Sequence, residues 1–123
     1  MPSEVTVLLA DDEAVVRQAI GELLETDPRF RVVASVDSAD AATRAAGRWQ
    51  PKLAVVDVRM PGGGHAAIAG IRRHSPDTIV MVCSSYDDRH TRNAMEQAGA
   101  AAYVVKGADD LLDVAYEVLG LSA

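Results

Sequence analysis

Several things are scarce in this chain, and each scarcity excludes a class of protein. One cysteine, Cys83, permits no internal disulfide, and as a small hydrophobe it is expected in the core rather than in a redox role. The three histidines, at 65, 74 and 90, lack the spacing of a metal site. No apolar run approaches the roughly 20 residues of a membrane span, and no leader pattern of basic, apolar and small-residue regions opens the chain, so a cytoplasmic location is expected. Basic charge is short as well. Twelve Lys and Arg against 18 Asp and Glu give a net charge of −6, which argues against nucleic-acid binding by bulk electrostatics and leaves a partner domain undecided. The glycine run Gly62–Gly64 is followed by no lysine and hydroxyl pair, so it reads as a flexible loop rather than a phosphate cradle, and no dinucleotide fingerprint occurs.

What is present suits one globular domain. A chain of 123 residues, 49% hydrophobic and 24% charged, is ordinary for such a fold. At that size roughly two-thirds of the surface of the unfolded chain is buried. Five short aliphatic or β-branched runs, 5–10, 31–36, 53–56, 79–83 and 102–105, alternate with five segments of helical period. That alternation is the signature of an α/β fold with a parallel sheet covered on both faces.

The helical segments carry their own boundaries. Residues 13–25 place Val16, Ala19, Ile20, Leu23 and Leu24 on one stripe, and Asp27-Pro28 closes the segment. Ser38 or Asp40 starts a second helix that runs to Trp49, where Gln50-Pro51 stops it because the residue before proline leaves helical geometry. Trp49 is read as edge packing. A third helix is expected over 66–74, although Gly70 inside it costs roughly 1 kcal/mol relative to alanine. The fourth spans 88–98 and stops at Gly99, and the fifth begins near Asp109 with a stripe of Leu111, Leu112, Ala115, Val118 and Leu119 before Gly120.

The polar residues at the ends of the apolar runs point to function. Parallel strands share one C-terminal edge, where ligands bind in such folds. Asp11 and Asp12 follow the first run, Asp57 the third, Ser84 and Ser85 the fourth, and Lys106 the fifth. Three carboxylates in one place repel unless a proton or a cation balances them, and hard oxygen ligands favour Mg2+. Lys106 and the Ser84 hydroxyl suit the phosphoryl oxygens that a metal leaves free, and Asp57 suits in-line attack on phosphorus, as aspartyl phosphates form elsewhere. Each residue alone has a plainer reading. Asp11 or Asp12 could cap the first helix, Lys106 could be a solvated strand end, and Ser84 could be a local backbone partner. Their coincidence at the ends of different strands carries the functional reading.

Four segments, "LLADDE", "VVDVRMP", "CSSYDD" and "GAAAYVVK", together resemble the receiver domain of two-component response regulators over essentially the whole length. The resemblance implies a doubly wound, flavodoxin-like sheet of five strands in order 2-1-3-4-5 with five helices. It also implies roles. Asp57 accepts the phosphoryl group. Asp12 and Asp57 bind Mg2+ directly with the backbone carbonyl of Arg59, and Asp11 acts largely through water. Ser84 and Lys106 contact the phosphoryl oxygens. Ser84 and Tyr103 form a switch that reorganises the face of the fourth helix, fifth strand and fifth helix. The implied partners are a sensor histidine kinase and a second copy of the chain after phosphorylation.

"DVRMPGGG" and "SYDD" look most like the subfamily whose receivers precede a helix-turn-helix DNA-binding domain, yet no output domain is expected within residues 1–123. Two departures from the family pattern stand out. Gly107 replaces the proline that often follows the lysine, which frees that loop. The segment after Pro61 is about one residue short, so the third helix is expected to start irregularly. Arg59 and Tyr86, two residues beyond Asp57 and Ser84, flank the site and bear on how water reaches it. The expected function is a phosphoacceptor that assists its own phosphorylation and dephosphorylation, not an enzyme acting on others. A phosphohydrolase would need a second acid near Asp57, where Arg59 stands. A phosphorylation-independent interaction module is the alternative, against which the complete set of site residues argues.

Overall fold

The computed structural model describes residues 4–123. The apolar runs become β1 (Val5–Ala10), β2 (Phe30–Val36), β3 (Leu53–Val56), β4 (Ile79–Ser84) and β5 (Ala102–Val105), and the segments between them become α1 (Ala14–Leu24), α2 (Ala39–Trp49), α3 (Gly64–His74), α4 (Arg89–Ala98) and α5 (Leu111–Leu119). All pairings are parallel and the strand order is β2-β1-β3-β4-β5, the doubly wound arrangement implied by the resemblance.

The period-2 alternation of strand side chains divides the core in two. Leu8, Ala10, Ala54, Val56, Val80, Val82 and Tyr103 pack on one face with Ala42, Ala46, Ile68, Ile71 and Met95 from α2, α3 and α4. Val7, Leu9, Val55, Met81, Cys83 and Val104 pack on the other with Leu24 of α1 and Leu111 and Ala115 of α5. Register then sets the site. Ala10 pairs with Val56 and Val56 with Val82, so Asp11 and Asp57 leave the sheet in one row. Ser84 pairs with Val105, which puts Lys106 at the same edge. Parity places Asp11, Asp57 and Lys106 on the α1/α5 side and Ser84 with Tyr103 on the other.

Helix boundaries follow side-chain chemistry more closely than the apolar stripes indicate. Ser38, Asp88 and Asp110 cap α2, α4 and α5, accepting from Ala41 N (3.1 Å), Thr91 N (2.9 Å) and Asp113 N (3.1 Å). The fifth helix therefore starts after Asp110 rather than near Asp109, whose Oδ2 instead accepts the Val105 N–H at 2.8 Å. The third begins at Gly64 rather than Ala66, and its cap, Gly63, has φ +86° and offers no side-chain bond. The glycine run is thus only partly a loop. A Cβ on Gly64 would lie 2.8 Å from the Asp57 carbonyl oxygen, so the first turn of α3 rests directly on the strand end that carries Asp57. The edge strand begins at Phe30, one residue earlier than the sequence reading, and β4 runs through Ser84. Trp49 packs less than expected: it is half-exposed, with the Arg48 guanidinium 5.2 Å from its ring centre.

Candidate functional site

Asp11, Asp12 and Asp57 converge at the C-terminal edge of the sheet, each offering a carboxylate oxygen, with all three oxygens within 4.8 Å of one another. Asp11 and Asp57 are buried and Asp12 is exposed. Backbone bonds fix the two buried acids in place: Asp11 N donates to Val36 O at 3.1 Å and Asp57 N to Ala10 O at 2.9 Å. Asp11 Oδ1 accepts from Glu13 N at 2.9 Å, and Asp57 Oδ1 from Val58 N at 2.7 Å. Neither member of the acid pair caps α1, whose N-cap residue is Glu13.

Lys106 reaches back across the edge. Its Nζ lies 3.0 Å from Asp11 Oδ2 and 3.3 Å from Asp57 Oδ2. Burial pulls the ammonium pKa down, but the Asp11 hydrogen bond and the charges of Asp57 and Asp11 outweigh it, so the net direction is up and Lys106 is cationic at neutral pH. For Asp57, burial pushes the carboxyl pKa up, Lys106 draws it down and Asp11 pushes it up again, leaving it raised. One ammonium among three carboxylates leaves the cluster net negative. Hard oxygens, negative charge and partial exposure are the donor set that Mg2+ takes.

Above the acids lies an open cavity of about 290 Å3, lined by Asp12, Asp57, Arg59, Ser84, Tyr86 and Lys106 among others. Ser84 is fully buried, and its Oγ accepts the Tyr86 N–H at 3.1 Å. Tyr103 is buried, with the Arg92 guanidinium 4.8 Å from its ring centre, and its hydroxyl donates to the Tyr86 carbonyl at 2.7 Å. The Tyr86 hydroxyl in turn accepts from Arg59 Nη1, and the Arg59 guanidinium stands 5.4 Å from the Tyr86 ring centre. Tyr86 thus joins Ser84, Tyr103 and Arg59 in one hydrogen-bonded chain. Cys83 behaves as core: it is buried, and burial pushes its thiol up to about 11.

Residues 7–115 match the response regulator receiver domain family. This chain belongs to that family. It is 33% identical over 105 residues to the response regulator GacA of Pseudomonas aeruginosa, covering 85% of this chain and 49% of that protein. It is 35% identical over 103 residues to the DNA-binding transcriptional activator DevR/DosR of Mycobacterium tuberculosis, covering 83% of this chain and 48% of that one. The receiver therefore spans about half the length of these relatives. The signal receiver domain of the putative response regulator NarL from Mycobacterium tuberculosis superposes with a TM-score of 0.89 at 25% identity, covering 97% of this chain and 98% of that one. No described helix of the receiver is long and apolar enough to cross a membrane.

Of the residues expected at the site, the structure groups Asp11, Asp12, Asp57 and Lys106, lines the cavity with Arg59 and Ser84, and connects Tyr103 to it through Tyr86. Two further residues shape the site without an obvious signal in the sequence. Gly64 is one, through its contact with the Asp57 backbone, and the proline-glycine run was the available hint. Arg17 is the other: it sits three residues inside α1, where a lone arginine on a helix gives no sign of reaching back to the acid pair.

Proposed function

We propose that this receiver takes a phosphoryl group onto Asp57 from a phosphohistidine of a sensor histidine kinase and, in response, reorganises the face of α4, β5 and α5 to control an output. The observation that carries the reading is Asp57 itself: a buried carboxylate at a strand end, beside two further acids, with Lys106 3.3 Å away and an open cavity above it. In the step proposed, one Asp57 carboxylate oxygen forms a bond to phosphorus as the P–N bond to the donor imidazole breaks, and the imidazole leaves with the electron pair and takes up a proton. Asp11, Asp12, Asp57 and the backbone carbonyl of Arg59 would hold Mg2+, which supplies positive charge to the phosphoryl oxygens. Lys106 neutralises and the Ser84 hydroxyl binds the remaining oxygens, which draw Ser84 toward the phosphoryl group, and Tyr103 turns inward behind it. Water later cleaves the acyl phosphate, so the domain assists its own reaction and turns over no separate substrate.

The same reading makes residues 1–123 a single receiver domain. It places the receiver in the cytoplasm, away from membrane and without direct contact to nucleic acid, and it includes pairing of two copies after phosphorylation. Intact mass after incubation with Mg2+ and a small-molecule phosphodonor tests the chemistry. One phosphoryl adduct is expected on the native chain and none on Asp57→Ala, and no adduct on either overturns the reading. Sedimentation with and without a beryllofluoride phosphoryl mimic tests the pairing, which an unchanged monomer overturns.

A further inference from the structure

We propose that Arg17 is a positioning residue for the acid pair, fixing the peptide plane between Asp11 and Asp12 and through it the direction of the Asp12 carboxylate; its functional half rests on the metal reading above. The three acids are not held alike. Asp11 and Asp57 each have one carboxylate oxygen bonded to a backbone N–H and the other to Lys106. Among the described residues, no hydrogen bond or ion pair holds the exposed Asp12 carboxylate. Its direction is therefore inherited from the backbone that carries it.

That backbone is held by Arg17. Its Nη1 donates to the Asp11 carbonyl at 2.6 Å, and its Nε donates to Ser35 Oγ, on β2, at 2.9 Å. The Asp11 carbonyl and the Asp12 N–H belong to one rigid peptide unit, so a bond that fixes the first orients the second. The guanidinium spans α1, the turn after β1 and the edge strand, and it does so with two nitrogens of a planar fork aimed at separate acceptors. A lysine keeps the charge but has only one nitrogen at the end of its stem.

Charge and geometry make opposite predictions. A cation beside the acids opposes Mg2+, so removing it by charge alone should tighten Mg2+ binding. Releasing the Asp11–Asp12 peptide should weaken it, by about 10-fold or more if Arg17 acts as a residue behind a metal ligand usually does. The experiment is calorimetric titration of Mg2+ into the native chain, Arg17→Met, Arg17→Lys and Ser35→Ala. It is paired with the Asp12 amide shift in the metal-free proteins, and circular dichroism checks folding. The expected results are weaker binding in Arg17→Met, no restoration in Arg17→Lys, a smaller loss in Ser35→Ala, and a displaced Asp12 amide in Arg17→Met. Unchanged or tighter binding in folded Arg17→Met, with the Asp12 amide in its native place, overturns the proposal. If Arg17→Met does not fold, Ser35→Ala decides it: native affinity and a native Asp12 amide there overturn it too. A native chain that binds no Mg2+ overturns the metal reading and the functional half with it, and the Asp12 amide alone then decides whether Arg17 holds the peptide.

Discussion

Lys106 Nζ stands 3.3 Å from Asp57 Oδ2, although a whole strand, β4, lies between the elements that carry them. The pair does not cancel the cost of burying Asp57, because the same ammonium is shared with Asp11 and the carboxyl pKa remains raised. A raised carboxyl stabilises the fold in its protonated form. That contribution is complete below the unfolded value near 4 and is lost as pH rises through the folded value, so the ionised group is a liability at neutral pH. Asp57→Asn is expected to raise the metal-free melting temperature at pH 7, with the advantage shrinking as pH falls toward 4. A lower melting temperature at pH 7 would contradict this.

Asp27 behaves in the opposite sense. Arg29 grips its carboxylate with Nη2 at 2.6 Å, Tyr116 donates to it at 2.9 Å, and the Arg29 backbone N–H, two residues on, donates at 2.9 Å. The Arg29 side-chain bond is the largest cause holding the Asp27 carboxyl well below the usual range. A depressed carboxyl contributes stability above its unfolded value, and that is lost as pH falls toward the folded value. Urea midpoints measured from pH 5 down to pH 2 should fall less steeply for Asp27→Asn than for the native chain, and parallel curves would refute the assignment.

Gly70 reverses a rule of helix propensity. In an exposed helix, glycine to alanine gains roughly 1 kcal/mol. Here a Cβ would sit 1.9 Å from Thr43 Oγ1 and 3.0 Å from Thr43 Cβ and Cγ2, because α2 and α3 pack closely at this point. Gly70→Ala is expected to destabilise by about 1–3 kcal/mol in denaturant unfolding. Thr43→Ala should recover most of that loss in the double variant, and additive effects of the two changes would show that the contact is not the cause.

Mg2+ should be linked to folding as well as to chemistry. A ligand that binds only the native state stabilises it by about 2.7 kcal/mol at a hundredfold excess over Kd. Thermal unfolding is therefore expected to shift upward with Mg2+, to return on chelation, and to respond little in Asp12→Asn. Equal shifts in the native chain and the variant would place the ion elsewhere.

Much of this protein was decided by local pattern. The helical period alone left Asp88 inside the fourth helix and started the fifth near Asp109, but the strand period, the cap at Ser38 and the polar residues at the strand ends follow from chemistry within a few residues of each position. They suffice for the layer architecture and for Asp11, Asp12, Asp57, Ser84 and Lys106 as neighbours. The tertiary structure alone decided how those neighbours are held. Lys106 bridges Asp11 and Asp57, Arg17 reaches the Asp11 carbonyl and Ser35, Gly64 rests on Asp57, and Gly70 admits Thr43. The physical reason is one of range. Period and capping depend on adjacent residues, whereas these contacts join separate elements, six residues apart for Arg17 and Asp11 and 95 for Lys106 and Asp11, and depend on strand register and helix approach.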